Sequence, residues 1–447
     1  MARNLYWIWL ALKIGAGKGG FAELLSQFGS PENIYAADVA ELLPFKSGPR
    51  DSKIEALLDK NLEKAYNIEK YCSQKHIEIL KYGEPGYPAL LMNLKNPPVI
   101  LYAKGKIKDL DKKVCIGVVG TRKLTEYGRQ SAYRIGYELA SAGAVVVSGM
   151  ALGIDSVAAC GALDARGKTV AVLGSGVDCI YPAAHKKLAE EIVKNGLLLS
   201  EYPPLEAPTR ASFPIRNRII SGMSQGTLVV EANERSGSLI TAKDAILQGR
   251  DVYALPGNIN NPTSNGTNAL IKDGASPVTC AADILENYRY IYRENIDMSA
   301  LARAGTRSVL KAGALAAHGV DEGDWSFEAP KNGAVAALLH SQKRVDGETV
   351  NKMVGNTEYP QYETPPELKK ESNNNENCGC EERYSEILQS LDKKYSDVFE
   401  AIPNGKSVSL ADICAAGFDS RTVMSVLTTL ELKGIVKILP GGLYCRK

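Results

Sequence analysis

Short apolar runs alternate with longer segments of helical spacing between residues 85 and 290. The runs are three to six residues long and rich in valine and leucine: Val114–Val119, Ala144–Val147, Thr169–Leu173, Leu197–Leu199, Thr227–Val230 and Asp251–Leu255. Helical spacing fills the segments between them, as in 127–142 and 238–248. Fully apolar strands joined by crossover helices are typical of a parallel sheet covered on both faces. The pattern predicts an α/β fold with a doubly wound, Rossmann-like parallel sheet core over 85–290.

The pattern differs on either side of this core. Residues 1–80 predict a small helical N-terminal domain, SAM/helix-hairpin-helix-like, in which helix 21–28 ends at Gly29. Residues 295–380 are dominated by Ala, Gly, Asn, Glu and Pro and predict a flexible linker. Residues 381–447 predict three helices and then a hairpin within 434–445, which is the pattern of a C-terminal winged-helix domain.

A glycine-rich turn, Gly15-Ala-Gly-Lys-Gly-Gly20, resembles a phosphate-binding loop. It lacks the full motif, because Leu12 stands where the first glycine is needed and Gly19 where Ser or Thr holds magnesium. We interpret it as a turn between two helices, with backbone contact to a DNA phosphate as the alternative.

Small residues and one arginine follow the first two predicted strands. Gly120, Thr121 and Arg122 follow the first, and Ser148 and Gly149 follow the second. Ligands of such sheets bind at the carboxyl ends of the strands, where glycine permits close approach and backbone amides favour anions. Arginine suits phosphate. The set predicts phosphate recognition; the alternative is that the glycines only make tight turns.

The stretch 207–230 contains no acidic residue but has an aromatic residue, Phe213, among three arginines: Arg210, Arg216 and Arg218. Cations and an exposed aromatic ring are what a groove for single-stranded nucleic acid needs. The alternative places Phe213 in the core and pairs the arginines with Glu201 or Glu231. Spacing alone does not decide between the two.

Charge and composition restrict the partners. Lys+Arg is 53 and Asp+Glu is 51, so any basic surface must be local. We expect no membrane association, because no apolar run approaches the length of a spanning helix, and we identify no signal peptide. Nine scattered cysteines fit a reducing cytoplasm.

The chain shows little that would serve catalysis. Among its four histidines only His185 lies near the carboxyl ends of the predicted strands. We expect its side chain to be solvated, and no nucleophile motif accompanies it. The dinucleotide fingerprint fails at Cys179, and no Gly-Lys-Ser/Thr follows a strand. We therefore expect no catalytic residue, no metal site and no cofactor.

The core resembles the DNA-processing protein A (DprA/Smf) family. The motifs that carry the resemblance occur in order: Tyr87–Leu91, Pro97–Tyr102, Gly117–Arg122, Ser148–Asp155, Ala171–Asp178, Ser200–Pro204, Phe213–Ile220, Val230–Ala232, Ser236–Ala242 and Pro256–Gly257. The resemblance implies a non-enzymatic, dimeric protein that binds single-stranded DNA, protects incoming DNA and loads the recombinase RecA during natural transformation.

The resemblance also implies roles for residues of this chain. Arg122 would bind a backbone phosphate, with Gly120, Thr121, Ser148 and Gly149 lining the pocket. Arg210 and Phe213 would face bases, and Arg216 and Arg218 would lie near the phosphates.

Two other functions remain open from the sequence. One is a Rossmann-like phosphoribohydrolase acting on nucleotides, although Pro256-Gly257 is followed by Asn258 rather than by the rest of that family's glycine-rich motif. The other is a transcription-type regulator whose winged helix reads duplex DNA. The segment 381–447 has equal numbers of basic and acidic residues, which favours protein contact or weak DNA binding there.

Overall fold

A nine-stranded sheet forms the centre of the first of two compact units of the chain. The computed structural model describes residues 2–320, apart from positions 47, 49–51 and 312, and part of the segment 393–446. The strands are β1 (Glu78–Lys81), β2 (Ile100–Gly105), β3 (Cys115–Val119), β4 (Val145–Ser148), β5 (Lys168–Leu173), β6 (Leu197–Ser200), β7 (Gly226–Val229), β8 (Asp251–Ala254) and β9 (Ser276–Pro277). Their spatial order is β1-β2-β6-β5-β4-β3-β7-β8-β9.

The order of the strands confirms the predicted doubly wound sheet. Strands β3 to β8 correspond to the six apolar runs, and they pair in parallel. The chain leaves β3 through β4, β5 and β6 and then returns to β7 on the other side of β3. This reversal creates a crevice at the carboxyl ends of β3 and β7, where ligands bind in folds of this type. Strands β1 and β2 add an antiparallel edge that the sequence pattern did not predict.

Helices cover both faces of the sheet. Those that follow the parallel strands are α7 (Glu126–Ser141), α8 (Ile154–Asp164), α9 (Lys186–Asn195), α10 (Ser212–Gly222), α11 (Ser238–Leu247), α12 (Asn265–Lys272) and α13 (Ala281–Leu285). Val146 of β4 packs with α7 and α8, whereas its neighbours Val145 and Val147 pack with Ile219 and Ile220 of α10. Burial on both faces explains why these strands are apolar throughout.

The N-terminal residues are helical, as predicted. The helices are α1 (Ala2–Ile14), α2 (Phe21–Phe28), α3 (Pro31–Ala36), α4 (Val39–Leu42), α5 (Lys53–Leu58) and α6 (Glu63–Gln74), and α2 ends at Gly29. Trp9 and Phe21 lie in a fully buried cluster that also contains Ile100 and Tyr102 of β2. The N-terminal helices therefore share a core with the edge of the sheet.

The first part of the expected linker is folded. Residues 299–304 and 314–317 form helices α14 (Ser299–Ala304) and α15 (Ala314–Ala317). Leu315 and Val320 are fully buried in the core beneath α7 and α8, and His318 contacts Asp164 and Glu191. The prediction of a flexible linker from residue 295 is wrong for this segment. The two buried apolar side chains and the histidine hold it against the sheet domain. Residues 321–380 lie outside the described residues.

Residues 337–447 belong to a second compact unit. Its described parts include α16 (Lys393–Glu400) and the strands β10 (Val408–Ser409), β11 (Val436–Leu439) and β12 (Leu443–Arg446). β11 and β12 pair antiparallel, in the place where the sequence predicts a hairpin. Much of the predicted helices between 410 and 432 lies outside the described residues, so the winged-helix assignment stays a prediction. Within the described ranges we find no helix with the length and apolar character needed to cross a membrane.

Candidate nucleic-acid interface

A cavity of about 500 Å³ opens at the crevice between β3 and β7. We call it the switch-point pocket. Three segments supply most of its wall: the loop after β3, the first two turns of α10, and the loop between β7 and α11. The polar and charged residues that line it are Thr121, Arg122, Lys123, Asp155, Arg210, Arg216, Asn217, Asn233, Arg235, Ser236, Ser238 and Thr241. Gly120 and Phe213 line it as well.

The loop after β3 is fixed by its neighbours on both sides. The Thr121 amide donates to the Glu231 carbonyl at 2.8 Å, and the Ile154 amide donates to the Thr121 carbonyl at 3.2 Å. Gly153 has a φ of 86°, and a Cβ there would lie 2.3 Å from the Thr121 carbonyl oxygen. Only glycine allows this close approach. The backbone that presents Arg122 is therefore held between the loops after β4 and β7.

The carboxylate of Glu231 holds the same loop. It is buried and accepts hydrogen bonds from the Thr125 amide at 2.9 Å, the Thr125 hydroxyl at 2.6 Å and the Thr263 hydroxyl at 3.1 Å. Thr125 also caps α7 through the Gly128 amide. Glu231 thus joins the loops after β3 and β7, and its hydrogen bonds hold these loops together rather than neutralise the nearby arginines.

Phe213 lies half-buried in the wall of the pocket, with cations around its ring. The guanidinium carbon of Arg122 is 5.5 Å from the ring centroid and that of Arg216 is 5.9 Å away. The Tyr181 ring packs on it at 5.6 Å. Guanidinium groups at such distances are attracted to the ring face. Phe213 is therefore part of the pocket wall and not of the hydrophobic core.

Positive charge dominates the pocket. Five cationic side chains line it, namely Arg122, Lys123, Arg210, Arg216 and Arg235, against one carboxyl group, that of Asp155. Burial raises the pKa of Asp155, although Arg216 opposes the shift. Burial also lowers the pKa of Arg216, to about 10, so its guanidinium keeps its charge at neutral pH. The pocket offers a strong local site for anions in a chain of nearly balanced charge.

Arg216 forms the floor of the pocket. Its Nη1 donates to the Gly149 carbonyl at 2.9 Å and to the Val172 carbonyl. The Gly149 amide donates to Asp155 at 2.9 Å. Ser148 and Gly149 are buried behind Arg216 and do not line the pocket, contrary to the expectation from the sequence. The prediction missed this because the arginine that covers them lies far along the chain.

Arg218 points away from the pocket. It forms an ion pair with Glu201 at 2.5 Å, and its Nη1 donates to the Asn96 carbonyl at 2.7 Å. Glu201 also accepts a hydrogen bond from the Gly17 amide of the N-terminal turn at 3.2 Å. Burial raises the pKa of Glu201, and the charge of Arg218 acts against that shift. Arg218 therefore pairs with an acidic residue, which was the alternative to DNA binding in the sequence analysis. It does not line the pocket, so its prediction as a phosphate-binding residue is wrong.

His185 is fully buried, so the expectation of a solvated surface histidine is wrong. Its Nδ1 lies 3.0 Å from the Met150 carbonyl, and burial lowers its pKa. The short turn after Pro182 brings it under the loop that follows β4. His185 therefore supports the structure of that loop.

Two cationic residues of the pocket, Lys123 and Arg235, were missed from the sequence. Lys123 directly follows Arg122, and Arg235 lies in the loop between β7 and α11. Both stand in loops that follow strands bordering the crevice. Their position in these two loops is the sequence signal that indicates them.

Comparison with known proteins agrees with the architecture. The sequence profile of the family described as DNA recombination-mediator protein A matches residues 78–289. The DNA processing protein DprA of Bacillus subtilis (strain 168) is 42% identical over 213 residues, which cover 48% of this chain and 72% of that protein. The chain belongs to the DprA/Smf family of recombination mediators. The resemblance inferred from the motifs is thereby confirmed.

Other DprA proteins support the assignment. The DprA of Streptococcus pneumoniae (strain ATCC BAA-255 / R6) is 44% identical over 204 residues, covering 46% of this chain and 72% of that protein. The X-ray structure of DprA from Streptococcus pneumoniae has a TM-score of 0.54 and 35% identity, and covers 63% of this chain and 97% of that structure. The similarity in structure thus extends over more of the chain than the family profile does.

Proposed function

We propose that this DprA family member binds single-stranded DNA in the switch-point pocket without cutting it, and passes the bound strand to the recombinase RecA during natural transformation. The observation that carries the proposal is the position of Phe213 in the pocket wall, with the guanidinium groups of Arg122 and Arg216 within 6 Å of its ring. This arrangement combines a stacking surface for a base with charges for the backbone.

The preference for a single strand follows from the aromatic ring. Bases in a duplex are paired and stacked on each other, so they cannot reach a ring in the wall of a pocket without being unstacked. Unpaired bases stack on aromatic side chains with little regard to sequence. Phe213 and the exposed Arg210 would face bases, and Gly120, Thr121 and Arg122 would bind a backbone phosphate. Ser148, Gly149 and Arg218 would support these contacts without touching DNA.

The proposed assembly is a homodimer in the cytoplasm that contacts RecA. Ile246 and Leu247, at the end of α11, are 60% and 75% exposed. Adjacent exposed apolar side chains on a helix of the sheet domain support a contact with a second copy through that domain. Sedimentation equilibrium of the full chain tests this part, with a monomer at all concentrations as the contradicting result.

A binding assay with matched strands tests the central proposal. Fluorescence anisotropy of a labelled oligothymidylate is measured against salt, with a hairpin duplex for comparison. The wild type should prefer the single strand. Arg122→Ala should weaken binding and reduce the slope of log K against log salt by about 0.7, the value for one phosphate contact on a single strand.

Arg129→Ala serves as the matched control. Arg129 lies on α7, directly after the same loop, and its guanidinium pairs with Glu126 outside the pocket. It should bind as the wild type does. A slope unaffected by Arg122→Ala, or an equal affinity for the duplex, would overturn the proposal. Release of free base from nucleoside monophosphates would favour the phosphoribohydrolase instead.

A further inference from the structure

A second basic cavity lies in the N-terminal helical region, at the glycine-rich turn 15–20. Its volume is about 380 Å³, and among the residues that the structure describes it is lined by four lysines and one acidic residue: Lys13, Lys18, Lys53, Lys95 and Glu23. We call it the lysine cavity. Lys13 pairs with Asp59, while Lys18 and Lys95 are exposed at the cavity. The two exposed lysines come from the turn and from the segment before β2.

Two other cavities in the same region lack this surplus. One, of about 670 Å³, brings Lys13 and Lys64 together with Asp59 and Glu63. Another, of about 640 Å³, is lined by one lysine, Lys70, and by two glutamates, Glu69 and Glu78. Lysines are therefore balanced by acids in these cavities, and the excess at the glycine turn is local. A local excess of one sign raises the concentration of counter-ions at that place.

The glycine turn connects the lysine cavity to the switch-point pocket through α10. A Cβ on Gly17 would lie 2.6 Å from the side chain of Ile215, which stands between two residues that line the pocket, Pro214 and Arg216. Lys18, the residue after Gly17, lines the lysine cavity. The two basic sites therefore lie on either side of one helical turn of α10.

Hydrogen bonds fix this connection. Asn96 donates from Nδ2 to the Gly17 carbonyl at 3.2 Å, and its own carbonyl accepts from Arg218 at 2.7 Å. Glu201 accepts from the Gly17 amide at 3.2 Å and pairs with Arg218. Asn96 and its neighbour Lys95 both line the lysine cavity. These hydrogen bonds therefore hold the cavity in a defined position relative to α10.

We infer that the lysine cavity binds backbone phosphates of the DNA strand that continues from the switch-point pocket across α10. The inference rests on the proposed function. Lysine ammonium groups bind phosphate as point charges without reading sequence. The cavity extends the footprint of the protein on a strand that is long enough to leave the first pocket.

Oligonucleotides of two lengths separate this site from the first one. An oligothymidylate of about 5 nucleotides fills the switch-point pocket, and one of about 16 nucleotides reaches beyond it, both within the range of site sizes for single-strand binding folds. The double variant Lys18→Ala/Lys95→Ala removes the two exposed lysines. For the longer strand the salt slope should fall by about 1.4, which is about 25-fold in affinity at about 0.1 M salt. The shorter strand should bind as before.

Two further variants serve as controls. Lys64→Ala/Lys70→Ala removes two exposed lysines of the same helical region from the balanced cavities and should change neither affinity. Lys18→Arg/Lys95→Arg keeps the charge and should retain binding of the longer strand. Since the lysines are exposed, circular dichroism should show an unchanged fold for every variant.

The outcomes are distinguishable from failure of the proposed function. If Lys18→Ala/Lys95→Ala leaves the longer strand unaffected while Arg122→Ala weakens both strands, the lysine cavity is not part of the path and the first pocket stands. If the double variant weakens both lengths equally, the cavity is no extension and the inference is also wrong. If the wild type binds neither strand, the proposed function itself fails.

Discussion

Two faces of α10 each carry an arginine, and the two arginines have different surroundings. On one face Arg216, with Phe213 and Asn217, lines a pocket in which cations outnumber carboxyl groups five to one. On the other face Arg218 is held by Glu201 and by a backbone carbonyl, beneath the N-terminal glycine turn. These arginines are two residues apart in sequence, yet Arg216 lines the pocket and Arg218 helps to attach the N-terminal helices.

The difference shows what decides the role of a cation. Arg218 forms a direct ion pair with Glu201, whereas Arg216, although Asp155 is near it, lies among four further cationic side chains of the pocket. Glu201 reaches Arg218 because β6 ends beside α10, whereas Glu231 is occupied by threonines of two loops. The direct ion pair of Arg218 and the excess of cations around Arg216 therefore distinguish the two positions on the helix.

Removal of Arg218 should have the largest effect, and it should act on stability. Arg218→Ala leaves Glu201 buried without its partner, which costs about 3–5 kcal/mol of the free energy of unfolding. Urea denaturation measures this loss, with Arg129→Ala, whose arginine is in an exposed pair, expected within about 0.5 kcal/mol of the wild type. An Arg218→Ala protein of wild-type stability that no longer binds a short oligonucleotide would reverse the assignment of the two faces.

Removal of the Phe213 ring should act on binding instead. Phe213→Ala should weaken the affinity for an oligothymidylate about 5- to 150-fold, because base stacking on an aromatic side chain contributes about 1–3 kcal/mol. Tyr290→Ala is the matched control, since Tyr290 is an exposed ring with the Arg289 guanidinium 4.4 Å from its centroid, outside the pocket. Equal losses for the two variants would show that stacking in the pocket contributes nothing specific.

Arg235 extends the comparison to the part of the pocket wall formed by the loop between β7 and α11. Arg235→Ala should reduce the salt slope for a single strand by about 0.7 and leave the free energy of unfolding unchanged, because the side chain is exposed. Salt titration of the variant beside Arg122→Ala measures the contribution of the two loops in one series. If Arg235→Ala retains the wild-type slope, the strand contacts only the wall formed by α10 and the loop after β3.

The smallest effect concerns the folded start of the predicted linker. His318 donates hydrogen bonds to Asp164 at 2.9 Å and to Glu191, and these bonds, the one to Asp164 foremost, raise its pKa. The charged histidine therefore stabilises the fold fully below about pH 6.5, and this contribution is lost as the pH rises through the higher pKa of the folded state. We expect less than about 1 kcal/mol, since the carboxylates are partly exposed.

The His318 contribution is measured by comparing unfolding at two pH values. Urea denaturation of wild type and His318→Gln should differ below pH 6.5 and converge at alkaline pH. A difference that is constant with pH would show that the side chain stabilises by packing and not by charge.

Much of the fold followed from the sequence because burial on two faces leaves a strong pattern. The six apolar runs became the six central parallel strands. β1 and β2 were missed because they form a short antiparallel edge whose sequence carries no crossover helix between them. The segment after residue 295 was predicted as a linker from its content of Ala, Gly, Asn, Glu and Pro, and that composition does not reveal that Leu315 and Val320 are buried.

The candidate site was predicted in part. Six of the predicted residues line the pocket, as expected from their positions after the first strand or in the acid-free stretch 207–230: Gly120, Thr121, Arg122, Arg210, Phe213 and Arg216. Ser148 and Arg218 do not line it, because each depends on a residue distant in sequence: Arg216 covers the loop after β4, and Glu201 captures Arg218. Spacing along the chain reports local geometry, and it carries no information on partners brought together by the sheet.

Photo-crosslinking tests the central claim most directly. An oligothymidylate carrying 5-iododeoxyuridine is bound to the full chain, irradiated and digested, and the modified peptide is identified by mass spectrometry. The account predicts that the crosslink lies on the peptide containing Phe213, is lost when excess unlabelled single strand is added, and survives excess duplex. Crosslinks confined to peptides outside the switch-point pocket and the lysine cavity would contradict it.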